Sequence, residues 1–116
     1  MFKKIYFTAL ISLIIVSGLG ASVYKGHALF QKKCLSCHGK ALEFVIDKDS
    51  DEWTKIMDEK GKELLVIHLK ALDPVNPDHL KSLKYFKGKR FPKNARHFKD
   101  FLLEYASDTG NIPACD

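Results

Sequence analysis

The chain has 116 residues, 46% of them hydrophobic and 28% charged, with a formal net charge of +5. That length holds one small domain and excludes a multidomain enzyme or one built around a large enclosed catalytic cavity. A domain of this size buries only about 60–65% of the surface of its unfolded chain, so it commonly depends on a covalent or cofactor staple.

In chain order, the first element is a leader over residues 1–20. Lys3 and Lys4 give it a positive start, residues 5–20 carry no charge, and Gly18, Gly20, Ala21 and Ser22 offer a small-residue processing site. The pattern predicts a cleaved signal peptide ahead of a mature domain over residues 21–116. The competing reading is an uncleaved membrane anchor, because residues 5–23 form an uncharged run of 19, just within the length a spanning helix needs. Thr8, Ser12, Ser17, Gly18 and Gly20 dilute that run, and no strong basic cluster follows Val23, which favours cleavage. Both readings send the body across a membrane, and the expected destination is a bacterial periplasm. Without Lys3 and Lys4 the net charge falls from +5 to +3.

Four helices are expected in the mature chain. The first runs from about Gly26 into Cys34-Leu35-Ser36-Cys37-His38. The second starts near residues 49–51, where Ser50 or Asp51 can cap and acidic residues suit the positive helix end. Its apolar stripe is Trp53, Ile56, Met57, Leu64, Leu65 and Ile67, interrupted at Gly61. Residues 73–77 break the chain, with Asn76 as cap and Pro77 at a first helical position. A third helix is expected over residues 78–86. After Gly88 a last helix is expected over residues 92–107, with Phe98, Phe101, Leu102 and Tyr105 at helical spacing. The tail, with Gly110 and Pro113, should be irregular. No strand pattern appears, so the expected class is all-α.

The segment that carries chemistry is Cys34-Leu35-Ser36-Cys37-His38. Two thiols three positions apart on a helical turn can each add to one vinyl group of a haem, giving two thioethers. His38 then offers its imidazole to the iron from one side. This is the c-type haem attachment pattern, with one covalent haem c held by Cys34 and Cys37 and with His38 as proximal iron ligand. A thioredoxin-like redox pair has the same cysteine spacing but needs an adjoining βαβ unit. A zinc site needs four ligands, and no second pair stands at a fitting spacing.

The flanking residues bring a resemblance. Gly26-His27-Ala28-Leu29-Phe30-Gln31-Lys32-Lys33-Cys34-Leu35-Ser36-Cys37-His38-Gly39 resembles the opening of small class I cytochromes c, in which a glycine and an aromatic residue of the first helix pack against the last helix. Residues 94–107 are similar to the aromatic face of that last helix. The resemblance implies a class I cytochrome c-like fold around one haem, and a one-electron carrier rather than an enzyme. The carrier can also be the cytochrome subunit, or the electron acceptor, of a periplasmic oxidoreductase.

One departure from that family concerns the second iron ligand. Class I cytochromes c usually place a methionine shortly before the last helix, whereas the only internal methionine here is Met57. Four side chains compete for the role, and an open sixth position is the fifth alternative. His68 lies on the apolar face of the second helix, 11 positions after Met57 and nearly superposed on it by helical rotation. Gly61 falls between them, where a missing side chain lets backbone approach a flat macrocycle; the alternatives are a core-edge histidine and a simple helix break. Met57 competes with core packing, the commoner role for methionine. His79 sits in a polar loop, and His97 flanks the apolar face of the last helix. A methionine ligand raises the reduction potential, a second histidine lowers it, and an open position admits small ligands. That last case defines the alternative function, a haem-based ligand binder or sensor. A haem enzyme such as a peroxidase ranks third, because no distal acid/base constellation is visible.

Charge is laid out unevenly. Residues 43–63 hold eight acids and four lysines. Residues 79–99 hold Lys81, Lys84, Lys87, Lys89, Arg90, Lys93, Arg96 and Lys99 with no acid. The functional reading is a docking face for an acidic redox protein; the competing one is a solvated surface. Nucleic acid is not an expected partner of an exported protein, and a membrane is one only if the leader is retained. Cys115 is left over once Cys34 and Cys37 hold haem; in an oxidising compartment it can pair by a disulfide with another chain or remain a free thiol near the end of the chain.

Overall fold

The computed structural model describes residues 19–113. The leader, apart from Leu19 and Gly20, and Cys115 lie outside the described residues. The elements are α1 (Leu19–Lys33), α2 (Leu35–His38), α3 (Ala41–Val45), α4 (Ser50–Ala71), a 3-10 turn (Pro77–His79), α5 (Leu80–Lys87) and α6 (Arg90–Glu104). Among the described residues there is no strand, so the chain is all-α as expected. None of these helices is long and apolar enough to cross a membrane.

The first and last helices lock together at Gly26. A Cβ placed there would lie 2.0 Å from the His97 carbonyl oxygen and 2.6 Å from Phe101 Cβ. Only glycine lets the backbones come so close. On either side of this crossing, His27 stacks on Phe101 at 5.1 Å and Phe30 tilts against it at 5.7 Å. Ser22 Oγ and His97 Nδ1 are hydrogen-bonded at 2.8 Å across the same interface. The buried face of α6 repeats at helical spacing through Phe91, Ala95, Phe98, Phe101 and Leu102.

Between these helices the chain departs from the expected pattern. α3 was not expected; its five residues are too few for a periodicity, and it is fixed by burial of Ala41 and Val45. Its Val45 carbonyl accepts the Trp53 Nε1–H bond at 2.9 Å. α4 is capped by Asp49 rather than by Ser50 or Asp51. Asp49 Oδ1 accepts from the Glu52 amide at 2.8 Å, and Glu52 Oε1 accepts in return from the Asp49 amide at 3.4 Å. Ser50 is used elsewhere: its N–H and Oγ–H both donate to Asp108, at 2.9 and 2.8 Å, tying down the tail.

α4 consists of two arms, residues 50–57 and 62–71. Asp58 is extended, and Glu59, Lys60 and Gly61 follow with φ of 52°, 58° and 75°. Three successive left-handed residues end one helix and aim the next elsewhere. The expected superposition of Met57 and His68 on one helical face is therefore corrected, because the rotation does not carry through the kink. Gly61 is a helix break that also faces Phe91, whose Cζ would lie 2.8 Å from an added Cβ.

Residues 73–77 form the expected break. Asn76 Oδ1 accepts from the Asp78 amide at 3.0 Å, with Pro77 at the first position of the turn. α5 starts two residues later than expected, and α6 starts two residues earlier and ends at Glu104.

Candidate functional site

α1 ends in the turn that presents the cysteines. The Cys34 amide donates to Phe30 O at 2.8 Å, continuing the helical path. Cys37 and His38 amides then both donate to Cys34 O, at 3.2 and 2.9 Å, closing α2 as one turn. Gly39, at φ 74°, ends it. Spacing of three and four along a helix places Cys37 and His38 beside Cys34.

All three line a cavity of about 570 Å³, within the range of about 300–1,000 Å³ usual for cofactor sites. The rest of its wall is mainly apolar: Phe44 from α3, Trp53 and Ile56 from the first arm of α4, Leu64, Ile67 and His68 from the second arm, and Phe86 from α5. Lys33, Glu43, Asp47, Lys48 and Ser82 add polar groups to the lining. Lys48 pairs with Asp47 at 2.9 Å and lies 5.6 Å above the Trp53 ring.

Within this cavity the His38 and His68 rings have centroids 5.9 Å apart, at 70°. Two imidazoles on opposite sides of one metal ion, at nitrogen–metal distances of about 2.0–2.1 Å, have centroids roughly 6–6.5 Å apart, and the observed separation is slightly shorter than that. His68 is held by two contacts. Its Nδ1 lies 2.7 Å from the Leu64 carbonyl, which makes Nδ1 the protonated nitrogen and leaves the Nε2 lone pair free. Its ring stacks on Phe86 at 4.2 Å and 20°. His38 meets Phe44 edge-on at 4.9 Å. Desolvation, then the neighbouring His68, holds His38 below the usual imidazole range, which favours the neutral, ligating form.

Cys34 sits in an environment unlike that of a reactive thiol. Burial, then the proximity of Cys37, pushes Cys34 up to about 12. Disulfide oxidoreductases work through a thiolate with a lowered pKa, so this environment does not suit thioredoxin-like exchange. Among the described residues no three His, Cys, Asp or Glu side chains form a cluster for a bare metal ion. In a haem, an ion between His38 and His68 would take its remaining donors from the macrocycle, and the apolar residues of the wall suit one. In both donor chemistry and space, the residues fit a haem.

The other ligand candidates lie elsewhere. Met57 is buried against Gly61 and does not line the cavity. His79 accepts the Asp73 amide at Nδ1 (2.9 Å) and meets Asn76 at Nε2 (3.4 Å) within its loop. His97 is engaged by Ser22. Phe44 and Phe86, which hold the two facing histidines, were not expected at the site. Phe44 belongs to the helix the sequence did not reveal, and nothing in the local pattern distinguishes Phe86 from a core residue.

On the outer surface, Lys81, Lys84, Lys87, Lys89, Arg90, Lys93 and Arg96 are exposed. Lys99 is half-buried and pairs with Asp58 at 3.3 Å. Comparison with protein-family models, with curated proteins and with solved structures finds no match for this chain.

Proposed function

We propose that the protein is an exported, periplasmic one-electron carrier for one haem c, in which Cys34 and Cys37 would be the thioether anchors and His38 and His68 would ligate the iron. The observation that carries this reading is the 5.9 Å separation of the two imidazoles in an apolar cavity walled by both cysteines. The close α1–α6 crossing at Gly26, flanked by Phe30, supports a class I cytochrome c-like fold. When bound, the haem supplies an iron that alternates between the ferric and ferrous states.

The chain's own residues do the rest. Leu64 fixes the His68 tautomer, and Phe86 fixes its ring plane. Phe44 holds His38 from the side. Trp53, Ile56 and Leu64 give the cavity an apolar wall, which limits the rearrangement that accompanies a change of charge. A second imidazole in place of the family's methionine favours a lower reduction potential. No residue is assigned a catalytic role.

Two measurements test this reading. Heating the purified protein in acid acetone is expected to leave the haem on the polypeptide, and Cys34→Ser with Cys37→Ser to let it be extracted. Full extraction from the unaltered protein would remove the thioether anchors from the proposal. The exposed basic residues of α5 and α6 form the docking face for an acidic redox partner, so electron exchange with that partner should slow as ionic strength rises past about 0.1 M, where the screening length is about 10 Å. A rate indifferent to salt would retire the docking face and leave the haem assignment standing.

A further inference from the structure

A second concavity, of about 380 Å³, lies between the α4 kink and the first half of α6. Lys60, Lys93, Arg96 and Lys99 line it, with Met57 and Ala95 as apolar neighbours. The two acids of the kink are already engaged: Asp58 with Lys99 at 3.3 Å and Glu59, also in the lining, with Lys62 at 3.6 Å. Among the described residues, Lys60, Lys93 and Arg96 form no ion pair. Lys60, Lys93 and Arg96 on one concave surface, with Glu59 as the one acid in its lining, repel one another, and a bound anion relieves that repulsion.

Their placement comes from the fold. Lys60 reaches this surface because the kink runs through three left-handed residues, and the contact of Gly61 with Phe91 fixes the kink against α6. Lys93 and Arg96 are three positions apart on α6 and so share its face. Met57 lines this concavity, whereas its neighbour Ile56 lines the cysteine-walled cavity. The two sites therefore lie on different sides of the first arm of α4.

We propose that this concavity binds the phosphoryl group of an anion, with Arg96 as the bidentate fork and Lys60 and Lys93 as point charges. The planar guanidinium matches two phosphoryl oxygens, and ammonium groups add charge with little demand on direction. The same chemistry is offered by a free phosphate compound and by the headgroup of an anionic phospholipid. The proposal does not depend on haem.

The test is calorimetric titration of the purified protein with sodium pyrophosphate at low ionic strength, with co-sedimentation on phosphatidylglycerol vesicles run in parallel. One saturable site is expected. Lys93→Ala combined with Arg96→Ala should weaken it at least about tenfold, since two charged donors are lost. Lys81→Ala, in the same basic segment but outside the concavity, should change it less than about twofold. Pyrophosphate binding identifies a free anion as the ligand, and vesicle binding alone, lost in the double variant, identifies a headgroup. Absence of both, or an equal loss with Lys81→Ala, overturns the site and leaves only a diffuse basic field.

Discussion

Gly26→Ala is expected to be severely destabilising. The added methyl group would sit 2.0 Å from the His97 carbonyl oxygen and 2.6 Å from Phe101 Cβ. Neither obstacle is the mobile end of a side chain, so relief requires moving α1 away from α6. That separation would loosen the Phe30–Phe101 contact and the Ser22–His97 hydrogen bond together. Overpacking a core typically costs about 1–3 kcal/mol, and with backbone as the obstacle the upper end, about 3 kcal/mol, is expected. Small domains have about 5–15 kcal/mol in total, and each kcal/mol moves the melting temperature by about 4–8 °C at this size. Thermal and urea unfolding followed by circular dichroism should therefore show a fall of roughly 10–25 °C. Tyr24→Ala provides the control: Tyr24 is on the same helix but 75% exposed, and its loss should stay within about 0.5 kcal/mol. Equal stability of the Gly26→Ala protein and its parent would show that the two helices do not depend on close approach at this point.

That crossing also shows what kind of feature a sequence discloses. The aromatic repeat of α6 was readable because a helix buried along one face must space its large residues by three and four. The capping region before Trp53 was readable as well, although Asp49 rather than a neighbour supplies the cap; three adjacent residues offer oxygens, and Ser50 instead donates to Asp108, 58 positions away. α3 was not readable, since one turn has no period to detect. The α4 kink was readable only as a weakness at Gly61. Glu59 and Lys60 also adopt left-handed backbone, against the local preference of both residues.

The site divides along the same line. Cys34, Cys37 and His38 form a local motif, and local hydrogen bonds build their turn. His68 is 30 positions further on, and helical rotation alone grouped it with Met57. The kink separates the two: Met57 goes to the core beside Gly61, and His68 goes to the cavity opposite His38. A non-local decision, made where Gly61 meets Phe91, thus selects histidine over methionine as the residue facing His38. The fold therefore makes the ligand question sharp enough to test by substitution.

His68→Ala is expected to change the iron's electronic state more than any other single substitution outside the Cys34–His38 motif. The unaltered oxidised protein should give a low-spin electron paramagnetic resonance signal without the near-infrared charge-transfer band of methionine ligation. In His68→Ala the signal should become high-spin, and the reduced protein should bind carbon monoxide reversibly, as an open sixth position allows. His68→Met separates ligation from packing. Methionine roughly keeps the volume that rests on Phe86 and offers a thioether, so it should retain low-spin iron and raise the reduction potential. Met57→Leu should leave both spectra unchanged, because Met57 is buried away from the cavity, while a near volume-conserving swap costs less than about 1.5 kcal/mol. A low-spin signal that survives His68→Ala and disappears in Met57→Leu would move the ligand to the thioether and require the kink to rearrange when haem is bound. High-spin iron in the unaltered protein would instead favour the small-ligand binder over the electron carrier. The two functions differ by whether one imidazole, held by Leu64 and Phe86, occupies the sixth position.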